Sequence, residues 1–361
     1  MREINILITA ASRRVPLIQA FMSALKKLGI RGSVVTTDMN NLSPGLYFSD
    51  RHYIVPLTSD PAYISILKSI AFKERIHLLI PTIDDELPLF GQHAETFLSM
   101  GVRVAVSSRK TAEICNDKLR TARFLAERDI SVARTWLPSE NPETKANYPL
   151  FLKPRSGRGS VGAHVITSEK ELRFFEEYVT DPVIQEYLPG REFTIDVLSD
   201  FGGRVLSAVP RERLVIRSGV IDRGRTWNNR ALIDFGAQTA TALDIRGPAN
   251  IQVKWHEGRA TVFEVNPRFS GGIPLTIAAG ADFPAWLIEL RCGRKVKPAL
   301  GNFRDQLYMA CYESSIFLPG ETLASDGADS DTAICALGDS TDAPEAVGLE
   351  LHHIGAKRIR I

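Results

Sequence analysis

The chain has 361 residues, with 44 lysines and arginines against 42 aspartates and glutamates and a formal net charge of +2. That length predicts two or three domains with ample core, and so even a charge balance gives no broad electrostatic case for a nucleic-acid partner. Cys115, Cys292, Cys311 and Cys335 are scattered without a metal-type pair, no apolar run reaches membrane-span length, and residues 1–11 lack a signal-like core, so reduced thiols in a cytoplasmic protein are expected.

Residues 4–9 read as a short apolar strand, followed by AlaAlaSerArgArgVal and a helical pattern, PLIQAFMSALKKLG, over 16–29. A second strand, SVVTTD, ends at Asp38, and a third, HLLIPT, runs into Asp84, Asp85 and Glu86. Strands alternating with helices predict a parallel, doubly wound sheet. The first strand–helix turn has no G-x-G-x-x-G, so the pyrophosphate cradle of a dinucleotide site is missing and NAD is not expected. Arg13, Arg14 and the acidic trio lie at strand C-terminal ends, where open α/β sheets bind ligands. The trio reads equally well as the capped start of a helix.

Asn116–Asp117–Lys118 caps a helical segment, LRTARFLAERDI. At 151–162 the chain reads FLKPRSGRGSVG: an apolar strand carrying Lys153, then a loop with Ser156, Gly157, Gly159, Ser160 and Gly162. Glycines let backbone N–H groups approach an anion, and the lysine adds a compact positive charge. It is not a Walker A loop, because the lysine precedes the glycines. At 183–197, VIQEYLPGREFTIDV is a strand running into Gln185, Glu186, Tyr187 and Leu188, a turn at Pro189–Gly190, and a second strand carrying Glu192. A basic stretch at 211–230, with Arg211, Arg213 and Arg217, reads as a loop, either over an active site or simply on the surface.

At 250–272 the sequence is NIQVKWHEGRATVFEVNPRFSGG, two adjacent strands joined by a turn at 256–258. Glu264 and Asn266 share one strand face. With Gln252 they offer the oxygen ligands that Mg2+ prefers beside substrate phosphates. Residues 305–318 read as one more strand. From 320 to 356 there is no lysine or arginine and little periodicity, which predicts a linker or poorly ordered tail.

In this order the four segments resemble the ATP-grasp superfamily, over roughly residues 1–300, and are most similar to one ATP-grasp unit of the carbamoyl-phosphate synthetase large subunit. The resemblance implies an α/β chain: a Rossmann-like pre-ATP-grasp domain (1–108) followed by a two-lobed α+β ATP-grasp fold, with a small lobe (109–184), a large lobe (185–300), and a terminal strand and poorly ordered tail (301–361). It places Lys118 and Lys153 on the ATP phosphates, Ser156 to Gly162 as a flap above them, and Gln185 to Leu188 around adenine with Glu186 near its amino group. Glu192 would accept from the ribose hydroxyls. Gln252, Glu264 and Asn266 would hold Mg2+ (or Mn2+), and Arg268 would stabilise charge on the transferred phosphate, with Lys153 assisting.

The implied activity is that of an ADP-forming ligase which activates a small-molecule carboxylate as an acylphosphate for an amine or other nucleophile. A small-molecule kinase and a nucleotide-binding regulatory protein are the alternatives. Arg211, Arg213, Arg217 and Arg268 are candidate contacts to an anionic substrate. No nucleic acid or membrane partner is implied, and a homodimer is compatible with the reading. The absence of an internal repeat and of a recognisable glutaminase or allosteric domain argues against carbamoyl phosphate synthesis itself.

Overall fold

The computed structural model describes residues 3–140, 148–157, 159, 161–217 and 219–320. Its first part is a parallel sheet of β1 (Asn5–Ile8), β2 (Val34–Asp38), β3 (Arg51–Ile54), β4 (Ile76–Ile80) and β5 (Arg103–Val104), ordered β3-β2-β1-β4-β5. Crossovers run through α1 (Val15–Leu28), α2 (Tyr63–Lys73) and α3 (Leu87–Ser99). The strands read as continuous apolar runs because both faces are covered. Ile6 and Ile8 pack into one core with Phe21 of α1, whereas Leu7 between them packs into another with Leu67 and Phe90. Strand order reverses between β1 and β4, so the segments after them, 10–14 and 81–86, flank the crevice where such sheets bind ligands.

Helices α4 (Arg109–Asn116) and α5 (Lys118–Ala126) follow. Asp117 caps α5, its side chain accepting from the Arg120 backbone N–H at 2.9 Å. An antiparallel sheet then forms from β6 (Thr135–Trp136), β7 (Leu150–Pro154), β8 (His164–Ile166) and β9 (Pro182–Glu186), ordered β6-β9-β7-β8, with α6 (Glu169–Tyr178) packed on it. The third sheet holds β10 (Arg191–Ser199), β11 (Val205–Arg217), β12 (Val220–Thr226), β13 (Gly247–His256), β14 (Arg259–Asn266) and β15 (Tyr308–Ala310), ordered β14-β13-β10-β11-β12-β15. Helices α7 (Arg230–Ala242), α8 (Ile273–Ala278) and α9 (Phe283–Arg291) complete the chain. One core joins the parallel sheet, α1, the six-stranded sheet and α9.

Two expectations are corrected. Residues 211–230 are not a loop: 211–217 and 220–226 form the β11–β12 hairpin, and 230 begins α7. Val215, Ile216, Val220 and Ile221 are good strand formers, and the charges that suggested a loop are paired within the sheet, Glu212 with Arg191 at 2.5 Å and with Arg225 at 2.7 Å. The strand expected over 305–318 shrinks to β15, which pairs with β12 only through Ala310, Met309 and Tyr308. Backbone bonds from Gln306 and Cys311 and to Leu307 extend the contact with β12 by a residue or two on either side of β15. Ser160 and the tail after Gly320 lie outside the described residues. Among the described residues, no helix is long and apolar enough to cross a membrane.

Candidate functional site

The four-stranded and six-stranded sheets face each other across a cavity of about 310 Å3. Lys153 and Phe151 reach it from β7, Gln185 and Glu186 from β9, and Tyr187 and Leu188 from the turn that follows. That turn depends on Gly190, whose φ is +96° and whose missing Cβ leaves room for the Trp255 carbonyl. The opposite wall consists of Glu192 on β10, Arg213 and Ile216 on β11, Gln252 and Lys254 on β13, and Phe263 and Glu264 on β14. Phe151, Val165, Ile216 and Phe263 make this space partly apolar, and lysines and carboxylates line it with them, the Lys153 ammonium lying 5.6 and 5.7 Å from the Phe151 and Phe263 ring centres.

Lys153 is only 5% exposed. Its Nζ donates to Gln185 Oε1 at 2.9 Å and to the Phe263 carbonyl at 3.3 Å. Burial pulls its pKa down to about 8, opposed by the nearby Glu264 carboxylate. Lys118 begins α5 and donates from Nζ to the Gly157 carbonyl at 3.0 Å, which ties the helix start to the glycine loop. Arg155 strengthens that tie with a fork on Asp117 at 2.9 and 2.7 Å. Burial alone would raise the Asp117 carboxyl, but the Arg155 bond and the capped backbone hold it below the usual range.

Glu192 faces Lys254 across β10–β13 and pairs with it at 3.0 Å, and with Arg213 at 2.6 Å. Arg213 also donates to Gln252 Oε1 at 3.1 Å. Burial lowers the Arg213 pKa, offset by Glu192. The Glu186 carboxylate is held by the Arg134 backbone N–H at 2.8 Å and its guanidinium at 3.0 Å, which leaves Glu186 little freedom to reach a ligand.

On the β13–β14 ladder Gln252 sits opposite Glu264, and Asn250 opposite Asn266. Glu264 accepts from Asn266 Nδ2 at 3.0 Å, and among the described residues no lysine or arginine forms an ion pair with it. Glu264 is a half-buried carboxylate that suits a hard divalent cation, whereas Asn266 turns its Nδ2 toward it and Gln252 Oε1 accepts from Arg213, so the two amide oxygens would join a metal only after exchanging these bonds. Arg268 follows, donating to Asn266 Oδ1 at 3.4 Å and gripping Asp84 Oδ2 with Nε at 3.0 Å and Nη2 at 2.6 Å. A smaller cavity of about 50 Å3 lies there, lined by Asp84, Asp85, Cys115, Asn116 and Asn266, and shares Lys118, Ser156, Gly157 and Glu264 with the larger one.

The structure therefore brings together Lys118, Lys153, Ser156, Gly157, Gln185 to Leu188, Glu192, Gln252 and Glu264 around one cavity, with Asn266 at its neighbour. Of the candidate substrate arginines, Arg213 lines the cavity. Arg211, 1% exposed, is instead buried against Asp196 (2.6 and 3.0 Å) and Ser270 (2.9 Å), and Arg217 pairs at the surface with Glu313 at 3.0 Å. Gly159 meets the hairpin tip, where a Cβ on Gly219 would press on its carbonyl. Gly162 lies against Pro154. Sequence reasoning missed Lys254, legible as the same-face neighbour of Gln252, and also Arg134 and Asn116, whose roles rest on contacts distant in sequence.

Comparison with known proteins agrees with this architecture. Residues 179–314 match a family described as "ATP-grasp in the biosynthetic pathway with Ter operon", and residues 6–105 match "PylC-like, N-terminal domain". The carbamoyl phosphate synthase large chain of Thermoanaerobacter sp. (strain X514) is 24% identical over 299 residues, covering 76% of this chain. The chain spans only about a quarter (27%) of that relative's length. Among solved structures, biotin carboxylase from Campylobacter jejuni superposes with a TM-score of 0.68 at 15% identity, covering 85% of this chain and 74% of that one. The L-amino acid ligase from Bacillus licheniformis gives 0.64 at 20%, covering 84% and 78%. The fold is that of the ATP-grasp proteins, and the likeness read from the four motifs holds.

Proposed function

We propose that this chain, built on the ATP-grasp fold, is an ATP- and Mg2+-dependent ligase that converts a small-molecule carboxylate to an acylphosphate, which a nucleophile then attacks with release of ADP and phosphate. One observation carries the reading: residues from 118 to 264, drawn from both sheets and the start of α5, converge on a single cavity whose walls carry apolar, cationic and anionic side chains together. The apolar walls Phe151, Val165, Ile216 and Phe263 suit a purine, and the Glu192 carboxylate on the cavity wall suits ribose hydroxyls. Lys153 and Lys118 supply positive charge for the phosphates, and the loop of Ser156 and Gly157 provides backbone close to them.

Gln252, Glu264 and Asn266 would hold Mg2+ or Mn2+, which when bound draws charge from the terminal phosphates. Arg268, fixed by Asp84, stands next to Asn266 and stabilises the charge that develops on the transferred group. Lys153 acts by charge and reach from a rigid strand, with no side-chain nucleophile needed. Closure of the two sheets over this half-open cavity would keep water from a reactive acylphosphate. The L-amino acid ligase and carbamoyl phosphate synthase likenesses favour a carboxylate acceptor.

A matrix of carboxylates and amines, scored for ADP release and product mass, tests this. A ligase releases ADP and gives a condensed product when both partners are present. A phosphorylated product accumulating without condensation would replace the reading with a kinase. No ADP release with any pair, together with tight nucleotide binding, would replace it with a nucleotide-binding regulator.

A further inference from the structure

Glu192 is clamped from both neighbouring strands. On β10 it lies directly opposite Lys254 of β13, whose Nζ reaches Oε2 at 3.0 Å, while Arg213 of β11 donates from Nη1 to Oε1 at 2.6 Å. Each carboxylate oxygen therefore carries one cation. One cation would neutralise Glu192; the second adds orientation. Arg213 is itself fixed, by bonds to Gln252 Oε1 at 3.1 Å and to the Gly219 carbonyl at 2.7 Å, and its side chain is 7% exposed. The clamp thus rests on a buried guanidinium that cannot follow a ligand, and all three residues of it line the large cavity.

We propose that Lys254 is a positioning residue: together with Arg213 it fixes Glu192 so that the carboxylate reads both ribose hydroxyls at once, and the site prefers ribonucleotides to deoxyribonucleotides. The inference rests on the nucleotide site of the ligase reading above. A carboxylate has about four acceptor positions, two on each oxygen. The clamp takes one on each oxygen and leaves one on each, side by side, which matches the two neighbouring hydroxyls of a ribose. A glutamate held at one oxygen only could turn and place both oxygens on a single hydroxyl, recovering much of what a deoxyribose loses. The second cation forbids that turn, so a missing hydroxyl becomes a missing bond. Lys118 and Lys153 bond elsewhere, to the Gly157 carbonyl and to Gln185, so charge for the phosphates is supplied without Lys254.

The test is titration calorimetry of the full chain at pH 7 with MgADP and with its 2′-deoxy and 3′-deoxy counterparts. The parent should bind MgADP about tenfold or more tighter than either deoxy form, the worth of one hydrogen bond to a charged group. Lys254→Met keeps the stem and removes the ammonium, and should reduce that preference several-fold. Glu192→Gln, which replaces one acceptor oxygen by a donor, should reduce it as well. A brace between strands would change stability, or the affinity for all three nucleotides alike, without moving the ratio between them.

If MgADP fails to bind the parent chain, the nucleotide site falls and the clamp with it. If MgADP binds but the deoxy forms bind equally well, the clamp does not read the sugar and the assignment is wrong. A preference that survives in Glu192→Gln would place the reader of the hydroxyls elsewhere and overturn it too. Equal weakening of all three nucleotides in Lys254→Met, with the preference kept, would make Lys254 a phosphate contact or a strand brace instead.

Discussion

Replacing Lys153 with methionine separates the chemical role of its ammonium from the packing of its stem. The parent lysine is 5% exposed and its pKa falls from 10.5 to about 8. A shift of that size corresponds to about 3 kcal/mol spent in keeping the group charged at neutral pH. Methionine removes this cost and preserves the apolar stem beside Phe151 and Phe263, but it leaves Gln185 Oε1 without its donor at 2.9 Å, a loss of about 1–3 kcal/mol. The two terms nearly cancel, so denaturant unfolding at pH 7 should show a net change within about 2 kcal/mol. Nucleotide affinity should fall further, because a charge-assisted bond to phosphate is worth about 1.5–3 kcal/mol, or roughly tenfold to a hundredfold in Kd. The folded value lies below the unfolded one, so the burial cost is present at pH 7 and is relieved as pH rises from about 8 toward 10.5. Over that window the parent should gain stability relative to the methionine variant. Its MgADP affinity should fall as the ammonium is lost above about pH 8, while the variant stays flat. Titration calorimetry between pH 7 and 9.5 reads the second effect. Parent-like MgADP affinity in Lys153→Met, or a collapse of its fold, would refute the argument.

Glu264→Gln should abolish Mg2+-dependent ATP turnover while shifting the melting temperature little, because Glu264 is half-buried and faces a cavity; Asn266→Ala should abolish it too, at a cost of about 1–3 kcal/mol in stability because Asn266 is buried and bonded to Asn250; unchanged ADP release in either would remove the metal-site assignment. Gly190→Ala should cost about 1–3 kcal/mol in denaturant unfolding, since it imposes a side chain on a φ of +96° and drives a Cβ into the Trp255 carbonyl; a neutral result would mean that the β9–β10 turn is not constrained as described. Glu86 is buried with hydrogen bonds from Thr9 and Tyr63, and burial raises its carboxyl to about 7. Its neutral form favours the fold, so this contribution is full below about pH 4.5 and is lost as pH rises through about 7. Glu86→Gln should lack that loss, worth at most about 3 kcal/mol, when unfolding is compared at pH 5 and pH 8; parallel pH profiles for parent and variant would contradict it.

Local pattern determined much of this protein. Runs such as NILI and VVTTD are apolar throughout because both faces of a parallel sheet are covered, so the N-terminal architecture follows from the sequence. A short turn in which Glu257 and Gly258 take positive φ sets the register from His256–Arg259 to Val253–Val262, and a bulge beyond it then places Gln252 opposite Glu264. Asp117 is legible as a cap because capping is decided within three residues. Three things were decided only by tertiary structure. Residues 211–226 became a hairpin because Glu212, Arg191 and Arg225 neutralise one another across strands, which composition alone cannot register. Arg211 was withdrawn from the cavity by Asp196, a partner on the neighbouring strand. Asp84 acquired its place through Arg268, 184 residues away. A helix cap and a cavity wall require the same residue types, and only the packing of the parallel sheet against β14 selected between them.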